Sequence, residues 1–253
     1  MTLDLSALGV FCLVLARTSA WVMAAPVFGV RGSGALGRLA LALALSVFLT
    51  PLAAPAAALP ADTVPFALTV GGQVLVGLAL GWATGLLLHA FEIAGHAIDL
   101  SSGFSVGALL DPVTGAQAAV FSRFANLCFV ALFFATEAHQ TVIEGFARSF
   151  QAVPAGHLPV VEAATVAGAG RAVGALLVAA LEIGAPVLGA LFLTEVVLAV
   201  AARFAPQANV FVIGLPLRVL VTLLAMGSLL VLLPGRLAVL VEGSVRLGGR
   251  LFG

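Results

Sequence analysis

The sequence predicts an all-α, membrane-associated protein of about six long apolar helices that form broken helical hairpins. Three observations lead there. Of 253 residues, 62% are hydrophobic and only 9% are charged, against about half and a quarter in an ordinary soluble domain. Mean hydropathy is +1.22, and so few charges cannot cover a globular surface in water. The apolar residues gather into six stretches, each near the ~20 residues that a bilayer crossing needs. Ala and Leu dominate them without strand-like alternation, so helices rather than barrel strands satisfy the backbone there.

The stretches fall near 5–27, 36–53, 65–91, 119–147, 171–202 and 209–233. The first follows MTLDLS, which holds Asp4 and no positive charge. That lacks the basic start of a cleaved signal peptide, so this segment is expected to stay in the mature protein. Pro51, Pro55, Pro60 and Pro65 make a hinge between the second and third stretches. Within the third, Gly77, Gly81 and Gly85 recur at four-residue steps, which keeps them on one face where another backbone can come close. Residues 100–118 read as nonhelical: Gly103, Gly107 and Gly115 lower helix propensity, and Pro112 holds Asp111 in extended or turn geometry. An irregular apolar segment at membrane depth survives only inside protein or along an aqueous cavity, so a re-entrant loop is expected at about 103–118. A polar linker, 151–170, precedes the fifth stretch, where Pro186 removes a backbone hydrogen bond and is expected to kink the helix. A basic tail, 234–253, follows the sixth. With no separate soluble segment and no internal repeat, residues 1–253 read as one domain.

Composition excludes several function classes. The chain has no Lys, which removes GK[ST] phosphate loops and Schiff-base chemistry. A net charge of zero offers no basic patch to nucleic acid. Cys12 and Cys128 sit in apolar stretches without CxxC spacing, as small packing residues do. Ser102 and Ser105 lack the GxSxG elbow of a hydrolase. No catalytic residue, metal site or cofactor is expected.

Charges within the apolar runs are informative because a central one costs roughly 2.5–3.5 kcal/mol in lipid. Arg17, Glu92, Glu137, Glu182 and Glu195 lie in or at the ends of such runs, so these helices are expected to be covered by protein or water. His89, Glu92, His96 and Asp99 are spaced three, four and three apart, on one helical face. Imidazole and carboxylate suit a metal or a proton relay, and they equally suit a hydrogen-bonded stripe between helices. The spacing of zincins is absent. A proton-coupled secondary transporter using this stripe and the broken helices is the alternative function class. In RFAPQANVF (203–211), Pro206 and Asn209 favour a turn, and Gln207 and Asn209 can bond backbone groups or reach across helices. Orientation carries a conflict. Arg31 and Arg38 place the first loop in the cytoplasm, and Arg236, Arg246 and Arg250 place the tail there too. Six simple spans would put the two on opposite sides, so either one stretch is a re-entrant hairpin or the chain is not a conventional bundle.

An ordered series of segments adds a resemblance. Arg17 is followed by APVFG (25–29, with Pro26) and the Arg31/Arg38 loop, then EIAGHAIDLSSGFSVGALLDPVTG (92–115) and SFQAVPAG (149–156). The series ends in GAPVLGALFLTEVVLAVAARFAPQANVFVIGLPLR (184–218), which holds Arg203, Pro206, Gln207, Asn209, Phe211 and Arg218. Over most of its length the chain resembles the FliR family of flagellar export-apparatus proteins and their type III injectisome counterparts. The resemblance implies a noncatalytic structural subunit of a protein export gate in the bacterial cytoplasmic membrane, at the flagellar basal body. It implies assembly with FliP and FliQ homologues, neighbouring FlhB and FlhA homologues, unfolded exported proteins as cargo, membrane lipid around it and no nucleic acid. In that assembly hairpins climb out of the bilayer plane, so hydropathy misstates the topology.

The family's loop plugs the closed pore. Carried over, it spans about Gly103–Ala118, with Gly103, Phe104, Ser105, Val106, Gly107, Leu109, Leu110, Asp111, Pro112 and Gly115 as gate residues and Phe104, Leu109 and Leu110 as the occluding ones. Arg17, Pro26, Gly77, Gly81, Gly85, Glu92, His96, Asp99, Arg203, Pro206, Gln207, Asn209, Phe211 and Arg218 become packing or partner-contact positions. Two departures stand out. Family members often carry Gly-Gly-His or Asn-Gly-His where this chain reads Glu137-Ala138-His139, and commonly Lys where it has Arg218. The runs DPVTGAQ (111–117) and RFAPQANVF look more flagellar than injectisome.

Overall fold

The computed structural model describes residues 5–28, 34–57, 59–60, 62–103, 119–160, 163–205 and 209–250. Among them every regular element is helical: α1 (Leu5–Ala24), a 3-10 turn (Pro26–Phe28), α2 (Ala35–Ala53), a second 3-10 turn (Ala54–Ala56), α3 (Thr63–Ser102), α4 (Val120–Ala135), α5 (Ala138–Ala152), α6 (Ala163–Phe204) and α7 (Val210–Arg250). Five of these helices contain runs long and apolar enough to cross a membrane. The pair α4–α5 passes the same test only together, and it is bent by 74° at its break.

The helices differ from the apolar stretches in ways that have physical causes. α3 continues to Ser102 because the polar residues 89–99 fall on one stripe and leave the apolar faces intact. α6 starts at Ala163 rather than 171, in the Ala-rich run AATVAGAG, which propagates a helix without needing burial. The basic tail is helical through Arg250. There Leu233, Leu237 and Val241 recur every four residues and are buried, while Arg236, Glu242 and Arg246 remain exposed or half-exposed. Pro51 and Pro186 lie inside α2 and α6, and Pro65 sits in the first turn of α3, where its missing N–H costs little. The fourth stretch is divided at Glu137, which adopts a left-handed conformation (φ 57°) at the N-cap of α5.

Buried hydroxyls in these apolar helices satisfy themselves. Thr18, Ser46, Thr84, Thr194 and Thr222 each donate to the carbonyl four residues back, which spares the helix an orphaned polar group.

The chain packs as two compact units, Met1–Leu88 with Glu137–Gly174 and Leu240–Gly253, and His89–Thr136 with Ala175–Val239. In the first, α2 lies along α1 and touches α5. Its centre holds Arg17 and Trp21, both essentially without exposed surface. Trp21 stacks on Phe146 with ring centroids 4.2 Å apart and donates weakly to Thr84 Oγ1 at 3.4 Å. In the second unit, Phe91 meets Phe129 tilted at 5.0 Å and Phe129 stacks on Phe133 at 5.5 Å, and Ile183, Leu229 and Leu233 are buried near Phe91.

Candidate functional site

The site that the sequence points to is the place where α3 ends and α4 begins, on either side of residues 104–118. Asp99, in the last turns of α3, is 4% exposed. Its two carboxylate oxygens accept from the backbone N–H groups of Phe121 and Ser122 at 2.9 Å each. Those N–H groups belong to the first turn of α4, where no intrahelical acceptor exists. The N-cap residue, Ala119, has no side chain to serve them, so Asp99 caps α4 from another helix, with its negative charge at the positive end of the dipole. Gly95 permits this approach, since a methyl group there would run into the backbone of Ser122. Ser102, also buried, donates to the Asp99 carbonyl at 3.2 Å. α3 then stops at Gly103, whose φ of +83° lies in the region that glycine adopts freely.

The rest of the polar stripe is organised differently. Glu92 accepts from Asn126 Nδ2 at 2.9 Å through one oxygen and lies 2.9 Å from His89 Nδ1 through the other. His89 and His96 are exposed. Among the described residues no three His, Cys, Asp or Glu side chains come together as a ligand set. Near Gly103, Arg218 presents Nε and Nη2 to the two oxygens of Glu195, at 2.5 and 2.9 Å. Only the Nη2 contact has hydrogen-bond geometry; Nε is buried without a hydrogen-bond partner.

The other sequence-predicted positions fall elsewhere. Gly77, Gly81 and Gly85 face α1 and the turn after it: a methyl at Gly77 would strike the Arg17 carbonyl, one at Gly81 would sit 2.5 Å from Ala24 Cβ, and one at Gly85 would be 3.1 Å from Pro26 Cδ. Arg17 donates from Nε to Gln73 Oε1 (2.7 Å), from Nη1 to Ser149 O and Oγ (3.1 and 3.3 Å) and from Nη2 to Val153 O (2.6 Å). Gln73 passes the network on to the His157 carbonyl at 3.2 Å. Arg203 is exposed in the last turn of α6, Asn209 caps α7 by accepting from Val212 N at 3.4 Å, and Phe211 lies in the first turn of α7. Phe104, Ser105, Val106, Gly107, Leu109, Leu110, Asp111, Pro112, Gly115, Pro206 and Gln207 lie outside the described residues, as does Arg31.

Sequence reasoning missed Gln73 and Gly95 as contributors, and it marked Glu195 as a charge in an apolar run without finding its partner. Gln73 carried a usable signal, an amide inside an apolar run. Gly95 did not, because its partner is a backbone segment.

The profile described as bacterial export proteins, family 1, matches residues 8–243 of the chain. The chain belongs to that family. It is 32% identical over 219 residues to the flagellar biosynthetic protein FliR of Bacillus subtilis (strain 168), covering 84% of this chain and 82% of that one. Against FliR of Escherichia coli (strain K12) the identity is 29% over 234 residues, 90% and 87% of the two chains. The Yop proteins translocation protein T of Yersinia pestis is 27% identical over 186 residues, 73% and 71% of the two. Family members with flagellar and with translocation names are therefore both similar to this chain.

Proposed function

We propose that this export-family chain is a noncatalytic structural subunit of a type III protein export gate. It assembles with FliP and FliQ homologues in the bacterial cytoplasmic membrane, next to FlhB and FlhA homologues, and passes unfolded proteins of the flagellum. Residues 1–253 act as one gate domain, and the segment of about 103–118 closes the pore when the gate is idle. The observation that carries this reading is the family match running from residue 8 to residue 243.

Helix geometry supports it. α3, α6 and α7 contain 40, 42 and 41 residues, about 60 Å each at ~1.5 Å per residue. The hydrocarbon core is ~30 Å thick. Even a tilt of ~40°, the top of the usual range, leaves about 46 Å across it. Part of each helix therefore lies beyond the core, and apolar side chains exposed on that part need protein to cover them. Helix number bears on orientation too. If the bent α4–α5 pair is re-entrant, the crossings number five. Five crossings put the Arg38 loop and the Arg246 end on one side, which removes the charge conflict.

The test is the native mass of this chain co-expressed with the FliP and FliQ homologues of its source. A discrete complex containing all three is expected. A stable lone monomer or homodimer that ignores both partners overturns the gate and favours a transporter. That alternative predicts uptake by the isolated chain in liposomes, lost on Glu92→Gln.

A further inference from the structure

We draw no further inference here: the strongest candidate, the mostly apolar cleft between α6 and α7 in the second unit that Glu182 and Arg236 flank, carries none because nothing in the structure shows what covers it.

Discussion

Arg17 places a permanent cation at the centre of the first unit, yet it donates to amide, hydroxyl and carbonyl oxygens rather than to a carboxylate. Compensation comes from the C-terminal end of α5. Ser149 O is among the last carbonyls of that helix, where its dipole is negative, and Val153 O belongs to the extended C-cap residue just past its end. The Phe150 ring, 4.2 Å below the guanidinium carbon, adds a cation–π contact. Arg17→Gln should therefore cost about 3 kcal/mol, since a shorter neutral amide leaves buried carbonyls unpaired. Arg17→Lys should lie between, because one ammonium cannot reach all the acceptors that the fork spans. Thermal unfolding in detergent reads both, and a Lys variant that melts with the native chain would refute the fork argument. Glu137 is the opposite case, a residue at odds with its backbone. Its φ of 57° costs a side-chain-bearing residue about 1 kcal/mol, and the family resemblance puts Gly or Asn there. Glu137→Gly should raise stability by up to about 0.5 kcal/mol, the strain relieved less the extra freedom of an unfolded glycine. A lowered melting temperature would show that the exposed Glu137 side chain contributes more than its strain costs.

At the scale of elements, the α1–α3 contact depends on the absence of side chains along one face. A methyl at Gly77 collides with the backbone of α1, whereas Gly174 and Gly227 have open space around them. Gly77→Ala should destabilise by about 1–3 kcal/mol through overpacking, and Gly174→Ala should be neutral or stabilising by up to ~1 kcal/mol through helix propensity. Equal melting temperatures for the two variants would remove close approach as the reason for the glycines. This face was legible in the sequence because four-residue steps map directly onto a helix surface. Helix ends were less so. Hydropathy falls after residues 91 and 233 while the helical periodicity continues, as Leu237 and Val241 show by being buried, so a reading by apolar density stops early. The break at Glu137 falls in the polar run TEAHQT (136–141), which a single stretch of 119–147 reads across. At the candidate site, Asp99 was visible as a stripe member, but its role was not, because the backbone N–H groups of Phe121 and Ser122 have no sequence signature. The Glu195–Arg218 pair joins α6 to α7 and follows no local spacing.

For the whole molecule, the proposed gate role asks that a path for protein be closed to ions between export events, and the family resemblance gives that task to the segment of about 103–118. On one side α3 ends at Gly103; on the other, α4 is tied back to α3 by the Asp99 carboxylate, with Gly95 allowing the close approach. The two ends of the segment are thus joined by contacts that do not involve the segment itself. Deleting Val106–Leu110 should leave α3 and α4 in place and shorten only what lies between them. In the assembled gate this variant should show a raised resting ion conductance in planar bilayers while retaining its partners by native mass. Asp99→Ala, which releases the tie but keeps the segment at full length, should raise the conductance less. A deletion variant that assembles normally and conducts no more than the native gate would exclude this segment as the plug.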